Sequence, residues 1–177
     1  EQAKLRKNAN SLEFQGEVVL ITGAASGIGK SCVESFLNRG AAVVGIDIDS
    51  SIETKYKHQD YLGLTCDVTD ENAIDEVLDK SVCHFGGLDM IVLNAGIFPE
   101  GKMVSQIPMK EWSEVFSINL NSNLNLLREV YPLLKVAPNK GRVVVIGSKN
   151  VPAPGPGAGA YSASKAALNQ LMRVLSM

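Results

Sequence analysis

No stretch of this chain stays apolar for the 18 or so residues that a membrane-crossing helix needs, so no such span is expected. The opening EQAKLRKNAN carries charge and no apolar signal-peptide core, and nothing in it points to export. Cysteine is scarce. Cys32, Cys66 and Cys83 are an odd number with no CxxC spacing, which argues against a disulfide framework and for reduced, cytoplasmic thiols that fill core space. Histidine is scarcer still: His58 and His84 stand at no metal-ligand spacing from those cysteines, and no metal site is expected. An excess of one charge is lacking too. Seventeen basic and 19 acidic residues give a formal net charge of −2, which leaves no electrostatic case for nucleic acid or an anionic membrane.

What is present is a 177-residue chain with 45% hydrophobic residues, enough for one domain with a real core. EVVLIT (17–22) reads as a strand, followed by a glycine-rich turn and a helical pattern through Arg39, with Gly40 ending it. AAVVGIDID (41–49) is a second strand, a polar loop covers 50–60, and YLGLTCDV (61–68) is a weaker third. Thr69 or Asp70 caps a helix through Phe85 that ends at Gly86 and Gly87. DMIVLNAG (89–96) is a fourth strand. A long helix over 109–136 follows, its Val115, Phe116, Leu124, Leu127 and Val130 fitting a 3.6 period. GRVVVIGS (141–148) is a fifth strand, then come the proline- and glycine-rich VPAPGPGAGA and a last helix. Continuous apolar strands alternating with helices predict an α/β fold with a doubly wound parallel sheet.

Three constellations carry chemistry. TGAASGIG (22–29) lies between a predicted strand and a helix, the context a phosphate-binding turn requires. Gly23 permits the tight turn, Gly27 lets backbone approach a pyrophosphate, and Gly29 lets helix and strand pack closely. The helix start attracts the anion; a plain tight turn is the alternative. Asp47, 18 residues past Gly29, is placed to bond a ribose 2′-hydroxyl and repel a 2′-phosphate, which favours NAD over NADP. Asp49, equally acidic and two residues on, leaves open that Asp47 is a solvated loop acid. In AYSASKAAL (160–168), Tyr161 and Lys165 share one helix face at i and i+4, so the ammonium favours the phenolate. A phenol beside an ammonium is the best candidate here for moving a proton near neutral pH.

With TGAASGIG, CDV at 66–68, NAG at 94–96, Asn119, Ser148 and YSASK at 161–165, the chain resembles the short-chain dehydrogenase/reductase family over about 16–177. The resemblance implies a Rossmann fold over 15–177 that binds NAD, with Gly23, Ser26, Gly27, Ile28 and Gly29 in the phosphate turn. It implies Asp67 and Val68 at the adenine, and Asn94, Ala95 and Gly96 lining the cofactor cleft. Tyr161 becomes the general acid/base, and Lys165 lowers its acid constant while binding the nicotinamide ribose. Ser148, 13 residues before Tyr161, holds the substrate oxygen, and Asn119 anchors a water in the proton relay. Two of these residues have open alternatives: Asn121, Asn123 and Asn125 follow Asn119, and Ser148 has the lesser alternative, against its spacing, of a loop serine bonding backbone. Lys149 beside it reads as solvated.

Family members run on past this point through a sixth and a seventh strand and a lid over the substrate. The chain starts at Glu1 and stops at Met177 inside a helical pattern, so it is expected to be a piece of a longer protein, with 1–14 a linker or extension. The opening EQAKLRK and the segment GSKNVPAPGPGAGAYSASKAAL are also similar to bifunctional proteins that fuse an N-terminal class II aldolase for rhamnulose phosphate to such a dehydrogenase. The expected activity is hydride transfer between NAD and a small alcohol, sugar or hydroxyaldehyde. The alternative is a silent dinucleotide-binding sensor or scaffold. Surplus apolar residues on the 109–136 helix, beside Ala166, Ala167 and Leu168, predict a homodimer or homotetramer with Leu126 or Leu133 near the interface.

Overall fold

The structure is a computed structural model that describes residues 12–177. Five strands, β1 (Val18–Thr22), β2 (Ala42–Asp47), β3 (Tyr61–Thr65), β4 (Met90–Leu93) and β5 (Arg142–Val145), form one sheet. Their order is β3-β2-β1-β4-β5 and every pairing is parallel, so the expected doubly wound sheet is present. β1 sits at the centre, with Leu20 opposite Val44 of β2 and Ile91 of β4. It is buried along its whole length, which is why it reads as an unbroken apolar run.

Alternation along each strand sorts the core into two faces. Leu20, Val44, Ile46, Ile91 and Leu93 pack on α2 (Glu71–Phe85) and on α4 (Ser122–Lys135) through Ile74, Val77, Leu126, Leu127 and Val130. Val19, Ile21, Val43 and Val92 pack on α1 (Gly27–Asn38) through Val33. α2 begins where the Asp70 carboxylate accepts from the Asn72 and Ala73 N–H groups and ends at Gly86 in the left-handed region, φ +84°. Of the two cap candidates, Asp70 is the one used.

Several expectations shift. Strands three, four and five stop at Thr65, Leu93 and Val145; beyond the first two the chain turns away to build the cleft described below. The loop at 50–60 contains a short 3₁₀ helix, Ser50–Thr54, capped by Asp49. The long helix is α3 (Met109–Phe116) and α4, joined through a π-helical turn at Ser117–Asn121. Leu124 on it is 43% exposed. Leu126, expected near an interface, is only 1% exposed and belongs to the core. Leu133 is partly buried against that same core. Of the cysteines only Cys66 is buried; Cys32 is half-buried and Cys83 exposed, so Cys83 fills no core space. The expected linker lies mostly outside the described residues, but Phe14 docks on α1, its ring 5.0 Å from that of Phe36 and its N–H bonded to Arg39 O.

The last helix, α5 (Gly159–Leu175), carries Tyr161 and Lys165. Among the described residues no helix is long and apolar enough to cross a membrane, and no cluster of three His, Cys, Asp or Glu side chains could hold a metal.

Candidate active site

The strand order reverses between β1 and β4, and the loops leaving their C-terminal ends part there. They enclose a cleft of about 390 Å³. Its walls are Gly23, Ser26, Gly27 and Ile28 from the first turn, Asp47 and Ile48 after β2, Cys66, Asp67 and Val68 after β3, and Asn94, Ala95, Gly96 and Ile97 after β4. Gly29 stands behind this surface rather than on it. A larger cavity of about 550 Å³ lies against β5, between residues such as Leu127, Val143 and Met172. Its lining is apolar apart from Tyr131, Lys135, Lys140 and Ser176, and it holds none of the residues that the sequence marks as cofactor-binding or catalytic.

The turn is held from below by two side chains. Thr22, 1% exposed, accepts the N–H groups of Asn94 and Ala95 on its hydroxyl, at 2.9 and 2.8 Å. Asn94 returns its amide to Thr22 O and Gly23 O, at 2.9 and 3.1 Å. Asn94 therefore positions the turn more than it faces the cleft. Thr22 escaped the sequence reading although it opens the quoted motif, because a strand-ending threonine has no signature that separates a brace from a filler. The top of the turn is open: Ser26 forms no side-chain cap and no acidic residue lies in the first turn of α1. The first N–H groups of that helix lack intrahelical partners, an arrangement that suits an anion.

The two aspartates are held differently. Asp47 accepts the Ala25 N–H on one oxygen at 2.8 Å and the Asp49 N–H on the other at 3.0 Å. Asp49 instead bonds the Ser51 N–H at 2.9 Å, and the Ser51 backbone and hydroxyl hold its carboxyl below the ordinary range. Asp67, meanwhile, is turned onto the Thr69 N–H and hydroxyl, leaving Val68 partly buried against the core. Burial, with Asp67 and Asp70 nearby, pushes the Cys66 thiol up to about 11, an inert lining group.

Asn119 separates from its neighbours in the same way. The π turn carries it to a fully buried position where Oδ1 accepts the Ile97 N–H at 2.8 Å. Its Nδ2 donates to Ile97 O at 3.0 Å and to Ser164 Oγ at 3.1 Å. Asn123 bonds the Asn119 carbonyl, Asn125 bonds Glu71, and Asn121 is exposed. π turns cluster at functional sites because the extra residue re-aims a side chain.

Lys165 is 4% exposed, and burial lowers its pKa. Its Nζ donates to Ile146 O at 2.9 Å and stands 5.9 Å from the Tyr161 ring centroid. A side chain at Gly96 would meet Asn119 Oδ1 at 3.1 Å and Lys165 Nζ at 3.6 Å, so the cleft floor and the Tyr161 helix adjoin. Ser148 follows β5, and its Oγ accepts the Asn150 N–H at 3.1 Å. That is the backbone-bonded serine left open above, but as an acceptor it keeps its O–H to donate. Among the described residues it makes no hydrogen bond to Tyr161.

Residues 17–177 match the family model for short chain dehydrogenase. The chain belongs to that family. It is 33% identical over 162 residues to the 3-oxoacyl-[acyl-carrier-protein] reductase FabG of Escherichia coli, covering 89% of this chain and 65% of that protein. It is 32% identical over 153 residues to the short chain dehydrogenase adrF of Penicillium roqueforti, covering 86% and 59%. The chain thus spans roughly three-fifths of the length of these relatives. Among solved structures it superposes on a 3-ketoacyl-(acyl-carrier-protein) reductase from Brucella melitensis complexed with NADH, with TM-score 0.88 and 25% identity over 92% of this chain and 69% of that one. A NAD+-bound xylitol dehydrogenase matches with TM-score 0.83 and 28% identity over 90% and 63%.

Proposed function

We propose that the protein is an NAD-dependent oxidoreductase interconverting a small alcohol and its carbonyl form, with Tyr161 as general acid and base. The observation that carries this reading is the closeness of Gly96 to both Asn119 and Lys165, which joins a dinucleotide cleft to a proton-handling pair. The residues fit the cofactor. Uncapped N–H groups at α1 suit a pyrophosphate, Asp47 suits a ribose diol, and Ile48 with Val68 offers adenine an apolar slot. Two relatives of known structure are described with NADH or NAD+ bound, which supports the same choice.

Bound NAD supplies the hydride acceptor. The chain's own residues handle the rest. Ser148 donates its O–H to the substrate oxygen, and the alcohol's proton passes to the Tyr161 oxygen as the hydride leaves. Lys165, fixed on Ile146 O, puts a positive charge beside the ring. Asn119 acts as a positioning residue, because its amide is spent on Ile97 and Ser164 and only a second lone pair of its carbonyl is left for a relay water. The full-length protein should form NADH from at least one of a panel of small alcohols and polyols. A protein that binds NAD and oxidises none of them is a sensor.

Asp47 carries the cofactor choice. Its carboxylate also supports the Ala25 N–H, so Asp47→Asn is the informative variant: it keeps an acceptor for Ala25 and removes the charge. The affinity ratio of NAD to NADP should fall about tenfold, as a close charge repulsion worth roughly 1.4 kcal/mol is lost. Tighter NADP binding by the unmodified protein overturns the assignment.

We also propose self-association through the α4 and α5 surface. With Leu126 in the core, the large hydrophobic side chains α4 leaves exposed are Leu124 and Tyr131, the latter 55% exposed. Light scattering on the intact protein should give a dimer or tetramer mass that Tyr131→Asp lowers; a monomer refutes the assembly.

A further inference from the structure

We infer that Phe98 is a specificity-determining wall of the substrate site, selecting substrates that carry an apolar group beside the reacting carbon. The inference rests on the proposed Tyr161 chemistry and extends it to substrate class. Phe98 is 60% exposed, yet its ring centroid lies 4.4 Å from that of Tyr161 with the planes tilted by 55°. The ring thus packs on the proton-handling residue while much of it stays open to solvent.

The ring is built into place. Ile97, just before it, is bonded at both N–H and carbonyl by Asn119, whose amide also reaches Ser164 on the Tyr161 helix. Pro99, just after it, disfavours helical backbone at Phe98. A second strap lies beyond: the Lys102 N–H donates to Gly157 O at 3.0 Å, residues 102 and 158 form a parallel bridge, and Lys102 pairs with Glu111. Gly101 and Gly157 cross so closely that a side chain at Gly157 would stand 3.2 Å from Gly101 Cα. The loop bearing Phe98 is therefore pinned to the Tyr161 helix at one end and to the loop leading into that helix at the other.

A substrate whose oxygen meets the Tyr161 hydroxyl presents a neighbouring substituent to this ring. An aromatic surface offers a methyl or alkyl group contact and burial, but it offers a hydroxyl no partner in exchange for lost water. Glycerol and propylene glycol differ only in that substituent, hydroxymethyl against methyl. Hydroxyacetone and dihydroxyacetone are the matching carbonyl pair.

The test uses the full-length protein with NAD. We expect kcat/KM for propylene glycol to exceed that for glycerol about tenfold, the range one small group commands in an apolar pocket. Phe98→Ala should bring the ratio near unity, and Phe98→Leu should restore most of it. A glycerol preference, or a ratio that Phe98→Ala leaves unchanged, overturns the inference. Calorimetry on the NADH-loaded protein reads the wall without turnover, and hydroxyacetone should bind about tenfold tighter than dihydroxyacetone unless Phe98 is replaced by Ala. That binding difference without any turnover sinks the oxidoreductase reading alone. Turnover with equal binding of the two carbonyls, or no binding of either, sinks the wall.

Discussion

Tyr161→Phe should lower kcat by about 10²- to 10⁴-fold, the span a positioned general acid/base contributes, while NAD still binds. Only the hydroxyl is removed. The ring that packs on Phe98 at 4.4 Å stays, so the site keeps its shape. Lys165→Met is the companion variant. The residue is 4% exposed with its ammonium bonded to Ile146 O, and methionine keeps the packed stem while losing the charge beside the ring. A comparable loss of kcat is expected, with weaker NAD binding as well if the ammonium also holds a ribose. The pH profile distinguishes the two roles. Burial disfavours the charged form, so Lys165 gives up its proton at a lower pH than a solvent-exposed lysine. The alkaline fall in rate should therefore begin below the ordinary lysine value of about 10.4 and vanish in Lys165→Met. Stopped-flow measurement of NADH formation across pH reads both. Near-native turnover by Tyr161→Phe would show that another group moves the proton.

How much of this was legible in the sequence depends on whether a residue's partner is local. β1 and the Met90–Leu93 core of β4 were legible because a strand buried on both faces must be apolar throughout, whatever the fold around it. The closeness of Tyr161 and Lys165 was legible because helical spacing alone brings them together, Nζ standing 5.9 Å from the ring centroid. Asn119 stood out only through the family resemblance, because what singles it out from Asn121, Asn123 and Asn125 is the Ile97 backbone 22 positions away and a π turn that leaves no compositional trace. The choice of Asp47 over Asp49 rested on position alone for the same reason: the N–H that orients Asp47 belongs to Ala25 in another loop. Leu126 misled in the opposite direction. A helix with apolar residues on several faces suggests an unmet partner, but here one face meets the sheet and another meets α2, and Leu126 lies within that shared core.

The glycines of the first turn separate into two roles, and their variants should part accordingly. At Gly29 a Cβ would stand 2.1 Å from Gly23 O and 2.6 Å from Asn94 Nδ2, two atoms that bond one another at 3.1 Å. Neither can retreat: Gly23 itself sits at φ +64°, and a side chain there would meet Asn94 at 2.8 Å. Gly29→Ala must therefore push α1 off the end of β1 and break the brace from Asn94. Overpacking of this kind costs about 1–3 kcal/mol, and the displaced turn should no longer bind NAD measurably. Gly27 is the contrast. Its φ is +51°, but a Cβ there would meet nothing within 4 Å. Gly27→Ala carries only the left-handed backbone cost of roughly 1–2 kcal/mol, and its methyl stands in the space at the mouth of α1 where a pyrophosphate would lie. Both variants should melt earlier, by several degrees at roughly 1 kcal/mol or more in a domain of this size. They should differ in their response to ligand: NAD at high concentration should raise the melting temperature of Gly27→Ala and leave that of Gly29→Ala unmoved. Thermal unfolding with and without NAD measures this, and a Gly29→Ala protein that melts like the parent and binds NAD as tightly would show that the turn is not the rigid cradle its contacts describe.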